Sequence, residues 1–250
     1  MQPNIITREQ AKKKLCLALD VDTLSKAKEM VRLLKDYVGV FKIGLQLFTK
    51  EGPKTVESIR NLGGNVFLDL KFHDIPNTVG NAARVATKMG AYMFNIHAAG
   101  GSEMMRAAVE AVKEESQKSN IPKPIILAVT VLTSINNAIL SKEMNLNGEV
   151  KDQVLHFAEL AQSSNIPGVV ASPEEISVIR NKCGSDFIIL TPGIRPIWST
   201  TKDDQKRVTT PGEAIRLGAD YIVIGRPILN ANDPVKASDK ILTEMVSHFK

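Results

Sequence analysis

Residues 65–78 read NVFLDLKFHDIPNT, and this stretch decides the fold class. Its first part, 66–70, is β-branched, aromatic and aliphatic and follows a Gly-Gly break, which is typical of a buried parallel strand. Because successive strand side chains point to opposite faces, the alternation predicts that Asp69 and Lys71 lie on one side. A carboxylate and an ammonium group are therefore expected together where the strand ends, with Asp74 shortly after them. Such a cluster of opposite charges indicates a functional site more strongly than a strand end that simply becomes polar.

Similar short apolar runs recur on both sides of this stretch, and segments with helical spacing alternate with them. The eight runs begin at Leu15, Val40, Val66, Tyr92, Ile125, Gly168, Phe187 and Tyr221. Segments such as 24–38 and 150–163 place apolar residues on one helical face, and Ser172 and Thr210 begin capping patterns. Eight strands alternating with eight helices predict an α/β fold, a (β/α)₈ TIM barrel. A doubly wound open sheet is the main alternative, but no G-x-G-x-x-G follows the first strand.

Length and composition favour one domain over residues 1–250, because no Pro/Ser/Gly-rich linker divides a chain that is 43% hydrophobic. The net charge is +5, from 32 basic and 27 acidic residues that are interleaved along the chain. This scatter argues against a nucleic-acid interface and suits a small anionic substrate. The two cysteines form neither a disulfide framework nor a metal spacing. With no apolar signal core and no apolar run long enough to span a bilayer, we expect a cytoplasmic protein without a membrane partner.

Charged residues follow several of the predicted strands, where the active site of a barrel enzyme lies. Asp20 ends the first strand, Lys42 lies in the second, and Asp69 and Lys71 end the third. A buried charge is costly unless it is paired, so an alternating Asp/Lys network is the expected arrangement. For Lys42 taken alone, a surface lysine with a buried stem is an equally good interpretation.

The seventh and eighth strands are each followed by a glycine and an arginine. These residues are Arg195 in TPGIR (191–195) and the Gly225–Arg226 pair in IGRP (224–227). Glycine allows close backbone approach and arginine offers a bidentate fork to an oxyanion, so the pattern predicts a phosphate site. The polar segment 196–208 is a candidate lid, and Gln205 within it is a candidate phosphate contact.

A metal site is the second interpretation of the central stretch. His73, His97 and Asp69 are potential ligands. We favour a hydrogen-bonded barrel role for His97 and a surface position for His73, because Lys71 between them competes with a cation.

Seven motifs together carry a resemblance to a known family. They are LALD (17–20), FK (41–42), DLKFHDIPNT (69–78), VLTS (131–134), TPGIR (191–195), DQKR (204–207) and IGRP (224–227). On these residues the chain resembles the bacterial-type orotidine 5′-phosphate decarboxylases, in order over all eight predicted strands. The segment 196–203 departs from the family pattern, because it lacks the glycines that members often carry there.

The resemblance implies decarboxylation of orotidine 5′-phosphate to uridine 5′-phosphate without a metal or another cofactor. Lys71 is then the proton donor to C6 of the pyrimidine, in a network with Lys42, Asp69 and Asp74, and Asp69 also faces the substrate carboxylate. Asp20 and Lys42 hold the ribose, Thr133 the pyrimidine, and Arg195, Gln205, Gly225 and Arg226 the 5′-phosphate. In the family Asp74 and Thr78 are contributed to the neighbouring subunit's site, which implies a homodimer.

Two other functions remain open from the residues. A hexulose-phosphate synthase or pentulose-phosphate epimerase shares the barrel, the phosphate loops and an Asp-x-Lys strand, but requires a divalent metal. A non-catalytic protein that binds nucleotide phosphates has no need for Lys71.

Overall fold

The computed structural model describes residues 6–199 and 209–247. In this part of the chain, eight strands form a closed barrel in sequence order, with β8 pairing back onto β1. The strands are β1 (Leu15–Ala18), β2 (Val40–Gly44), β3 (Asn65–Phe72), β4 (Met93–His97), β5 (Ile125–Val129), β6 (Gly168–Val170), β7 (Ile188–Thr191) and β8 (Tyr221–Ile224). The predicted (β/α)₈ TIM barrel is confirmed.

Helices alternate with these strands throughout the described residues. They are α1 (Arg8–Lys14), α2 (Leu24–Leu34), α3 (Leu45–Glu51), α4 (Lys54–Arg60), α5 (Pro76–Lys88), α6 (Gly101–Ser119), α7 (Asn137–Lys142), α8 (Val150–Ser163), α9 (Ile176–Cys183), α10 (Pro211–Leu217), α11 (Arg226–Leu229) and α12 (Pro234–Ser247). Four of them, α1, α3, α7 and α11, were not predicted. Each has seven residues or fewer, which leaves little room for a helical repeat of apolar residues. The equally short α4 and α10 were predicted from the spacing of Val56 and Ile59 and from the cap at Thr210. None of the described helices is long and apolar enough for a membrane span.

One compact unit consists of the described residues of Met1–Asp69 and Thr191–Lys250. In this unit β1 pairs in parallel with both β2 and β8. Strand β2 also pairs in parallel with the first five residues of β3. All four residues of β1 are buried, as the apolar run predicts. The register sets Gly44, the last residue of β2, opposite Asp69 within β3.

The second compact unit is Leu70–Leu190. Within it, β5 pairs in parallel with both β4 and β6, and β6 pairs in parallel with β7. Gly168 is required at the β6–β7 contact, because a Cβ there would lie 2.3 Å from the Ile188 carbonyl oxygen. Helices α5 and α6 pack against each other, and Gly80 of α5 lies close to the backbone of Ala107 in α6.

Candidate active site

The first unit holds a network of one lysine and two carboxylates at the ends of β1, β2 and β3. The Lys42 Nζ lies 3.3 Å from an oxygen of Asp20 and 3.3 Å from an oxygen of Asp69. The Lys42 and Asp69 side chains are nearly buried, at 11% and 13% exposed, whereas Asp20 is 56% exposed. The structure therefore places Lys42 inside the charged network and not on the surface.

The surroundings of Lys42 keep its ammonium group charged. Burial lowers the pKa of Lys42, but the carboxylates of Asp69 and Asp20 outweigh burial and hold that pKa above its usual value. Gly44 makes room for the ammonium group, since a Cβ at this position would lie 3.0 Å from the Lys42 Nζ. Cys16, fully buried in β1, is close enough to interact electrostatically with Lys42, and burial raises the pKa of its thiol well above the usual range. The charged network therefore has a buried, neutral thiol within electrostatic range.

An arginine-lined pocket follows β7 and β8 in the same unit. Arg195, Arg226, Trp198 and Asn230 are among the residues that line it. The Arg195 N–H donates to the Thr209 carbonyl oxygen at 3.2 Å, which ties together the two ends of the segment that carries the candidate lid. Two guanidinium groups at one pocket provide the fork geometry that binds a phosphate.

Gly225 lies close to the end of β1. A Cβ at Gly225 would be 3.3 Å from the Ala18 Cβ and 3.7 Å from an Asp20 oxygen. A side chain at this position would therefore crowd the residues that end β1, which explains the glycine before Arg226.

Trp198 is a pocket residue that the sequence analysis missed. It lies in a single turn of 3₁₀ helix, Ile197–Ser199, and the Lys240 Nζ is 5.8 Å from the centre of its ring. At 43% exposed it is accessible to solvent, and a solitary tryptophan in a polar loop gave no pattern from which to predict a pocket position. Gln205 and residues 200–208 of the candidate lid lie outside the described residues.

The position of Trp198 predicts a fluorescence response to phosphate-bearing ligands. It is the one tryptophan of the chain, so intrinsic tryptophan emission reports on this pocket alone. Titration with inorganic phosphate is expected to change the emission intensity or wavelength with saturation, because Trp198 and the two arginines line the same pocket. Sodium chloride at equal ionic strength is the control and is expected to give a much smaller change; an identical response to both salts would contradict a phosphate site here.

Lys71 lies in the second unit, near the end of β3, with an unusual backbone. Its φ is +52°, in the left-handed region, so the regular alternation assumed from the sequence is interrupted at this residue. The Lys71 N–H donates to the Asn95 Oδ1 at 2.8 Å. Asn95, in the middle of β4, is a further residue that the sequence analysis did not single out.

Other predicted residues of the second unit lie near its surface. Asp74, Thr78 and Thr133 are exposed, and the Asp74 Oδ1 accepts the Ile75 N–H at 2.7 Å. The rings of His73 and His97 are neighbours, with centres 5.3 Å apart. In residues 6–199 and 209–247 no group of three or more His, Cys, Asp or Glu side chains is arranged to hold a metal ion.

A closed parallel barrel with a buried Asp/Lys network and an arginine-lined pocket after β7 and β8 is characteristic of β/α-barrel enzymes that act on phosphorylated small molecules. The sequence profile of the Orotidine 5′-phosphate decarboxylase / HUMPS family matches residues 13–241. The chain belongs to this family, and the resemblance inferred from the motifs is confirmed.

Individual relatives agree with the family match. Orotidine 5′-phosphate decarboxylase of Syntrophomonas wolfei is 54% identical over 94% of this chain and 99% of its own length. The protein of the same name from Moorella thermoacetica is 50% identical over 95% of this chain and 94% of its own length. The crystal structure of orotidine 5′-phosphate decarboxylase from Lactobacillus acidophilus is 36% identical and superposes with a TM-score of 0.82, covering 92% of this chain and 98% of that one.

Proposed function

We propose that this chain decarboxylates orotidine 5′-phosphate to uridine 5′-phosphate, the last step of de novo pyrimidine nucleotide synthesis. The observation that carries the proposal is the 54% identity, over nearly the full length of both chains, to a relative that bears this name. The placement of Lys42 between Asp20 and Asp69 supports it, because charged side chains held in a fixed arrangement are what a cofactor-free decarboxylation requires.

The chemistry explains the charged residues. Loss of CO₂ from C6 of the pyrimidine leaves its electron pair on that carbon, with no adjacent carbonyl placed as an ordinary electron sink. A fixed ammonium group at C6 stabilises the negative charge and then supplies the proton that completes the product. We assign this role to Lys71, in a network with Lys42, Asp69 and Asp74.

We propose the remaining roles from the resemblance of the motifs to the family. Asp69 faces the substrate carboxylate, Asp20 and Lys42 bind the ribose, and Thr133 binds the pyrimidine. The location of Asp20 and Lys42 at the ends of neighbouring strands β1 and β2 supports the ribose assignment.

The 5′-phosphate is assigned to the arginine-lined pocket. Arg195 and Arg226 donate to the phosphate oxygens, with the Gly225 backbone beside them, and Gln205 is a further proposed phosphate contact. Binding energy from this remote group contributes to catalysis when it is used to hold the reacting carbon against Lys71.

A spectrophotometric assay tests the proposal directly. The ultraviolet absorbance of orotidine 5′-phosphate is followed over time with the protein in excess EDTA. Conversion to uridine 5′-phosphate under these conditions supports decarboxylation without a metal ion. If a well-folded protein leaves the substrate unchanged, the proposal is wrong, and metal-dependent reactions of sugar phosphates become the next to test.

The proposed enzyme is a homodimer in which Asp74 and Thr78 complete the neighbouring subunit's site. The exposure of both side chains in the single chain supports this arrangement, as does Ile75 between them, an apolar residue that is 67% exposed. We also propose that residues 1–250 act as a single domain, which the closure of all eight strands into one barrel supports. The cytoplasmic location stays a prediction.

Subunit mixing distinguishes shared sites from self-contained ones. Lys71→Ala and Asp74→Ala chains are inactive separately, but their heterodimer has one site in which both residues are intact. Random exchange at equal amounts makes about half of the dimers mixed, with one of two sites active, so we expect about a quarter of wild-type activity.

The control mixes Lys71→Ala with Asp69→Ala. These two residues belong to one site of one chain, so every site in the heterodimer keeps one defect and no activity returns. If Lys71→Ala and Asp74→Ala chains exchange subunits without recovering activity, the shared-site arrangement is wrong.

A further inference from the structure

The backbone of Lys71 is in a conformation that a lysine rarely adopts. Four non-glycine residues of the described chain have positive φ, and the other three are asparagines at 120, 145 and 165. Asparagine tolerates the left-handed region because its short side chain can hydrogen-bond locally, whereas lysine has no such compensation. The left-handed conformation is unfavourable for such a residue. Surrounding structure must therefore hold Lys71 in place.

The Asn95 side chain supplies a specific hydrogen bond for this purpose. Its Oδ1 accepts the Lys71 N–H at 2.8 Å, within the Leu70–Leu190 unit. Asn95 is 1% exposed, and the residues beside it in β4, Phe94 and Ile96, are fully buried and apolar. A buried carboxamide is costly unless it is hydrogen-bonded, and the Lys71 N–H is one partner of the Asn95 side chain.

The conformation of Lys71 explains why its N–H needs a side-chain acceptor. A left-handed residue in a strand turns its N–H and C=O groups away from the hydrogen-bonding directions of a regular β-sheet. It also changes the direction of its own side chain. A partly buried N–H without an acceptor is unfavourable, so removing the Asn95 oxygen favours a different backbone at Lys71.

We propose that Asn95 is a positioning residue for the reaction: by accepting the Lys71 N–H it holds Lys71 in the left-handed conformation and sets the direction in which the ammonium group leaves the strand. This inference rests on the proposed role of Lys71 as the proton donor. The lysine stem is flexible, so the orientation of its Cα–Cβ bond is the part that the backbone can control. A misplacement of about 1 Å at a reacting group costs roughly 100-fold in rate.

Three variants test the inference. Asn95→Leu removes the acceptor at similar volume, Asn95→Asp keeps an oxygen at the same position, and Thr87→Val is the control. Thr87 is 1% exposed, and its Oγ1 donates to the Ala83 carbonyl oxygen at 2.7 Å in α5, so the control also loses one buried hydrogen bond. We expect Asn95→Leu to lower kcat by about 10- to 100-fold and to leave the Kd for uridine 5′-phosphate within about twofold. Asn95→Asp is expected to recover at least part of kcat, and Thr87→Val to stay within about twofold of wild type.

A measurement on the wild-type protein covers the case in which Asn95→Leu does not fold. The Lys71 amide is expected to be protected from hydrogen exchange, because its N–H is hydrogen-bonded to the Asn95 side chain. Exchange of this amide at the rate of an exposed loop would overturn the inference.

The outcomes separate this inference from the proposed function. A wild-type protein that does not decarboxylate orotidine 5′-phosphate contradicts the proposed function. An active wild type with a folded Asn95→Leu variant of unchanged kcat contradicts the role of Asn95 only. The proposed role of Asn95 is also contradicted if Asn95→Leu and Asn95→Asp lower kcat equally. A loss of affinity for uridine 5′-phosphate with unchanged kcat contradicts it as well.

Discussion

Replacing Lys71 with alanine is expected to lower kcat for orotidine 5′-phosphate by at least about 10⁴-fold. The substitution removes two contributions at once: proton transfer, which typically contributes 10²- to 10⁴-fold, and electrostatic stabilisation of the developing charge, which contributes roughly 10²- to 10³-fold. Both act on the transition state, so the affinity for uridine 5′-phosphate is expected to change far less than kcat. Steady-state kinetics and equilibrium binding measure the two quantities separately.

Two further variants sharpen this test. Lys71→Arg retains a positive charge, but its guanidinium group does not release a proton readily, so most of the loss is expected to remain. Lys26→Ala is the control, because the Lys26 side chain is half-exposed and pairs with Glu29 on the surface of α2. More than a tenth of wild-type kcat in Lys71→Ala would show that another group donates the proton.

Replacing Arg226 with alanine is expected to lower kcat/KM by about 10²- to 10⁴-fold. A bidentate contact contains two charge-assisted hydrogen bonds, each contributing roughly 1.5–3 kcal/mol, and every 1.4 kcal/mol corresponds to tenfold. The pocket that Arg226 lines also contains Arg195, so part of the phosphate affinity remains in the variant.

Phosphate-free orotidine supplies the decisive comparison for Arg226. If Arg226 acts through the phosphate, orotidine reacts slowly with wild type and the Arg226→Ala substitution adds little further loss. Arg32→Ala, at an exposed position of α2, is the control and is expected to leave both substrates unaffected. An equal penalty for orotidine and orotidine 5′-phosphate would place Arg226 outside the phosphate site.

Much of the molecule was predictable from local patterns. Eight apolar runs alternating with amphipathic segments predicted the barrel, because the hydrophobic periodicity of a strand or helix is visible within a few consecutive residues. The interval 150–163 was predicted with the bounds that α8 has. Family membership was equally accessible, since DLKFHDIPNT and six shorter motifs occur in order along the chain.

Local sequence patterns predicted only part of the site. The sequence alone left Lys42 undecided between surface and network, and the structure shows its ammonium group 3.3 Å from Asp69. That contact depends on the register of β2 against β3, which pairs Gly44 with Asp69 across a loop and two helices. Register is decided by packing over the whole strand pair, and a local pattern does not contain it.

The sequence established the order of strands and helices, the family, and the positions at which charged residues follow strands, because each depends on residues close together in the chain. The left-handed conformation of Lys71 was not accessible from it, since alternation predicted a regular strand there. The acceptor of its N–H comes from Asn95, on a different strand, and the Trp198 ring comes to Lys240 from a separate loop. Contacts of this kind exist only once the chain has folded, because strain at one residue is tolerated when packing and hydrogen bonds from distant residues compensate for it.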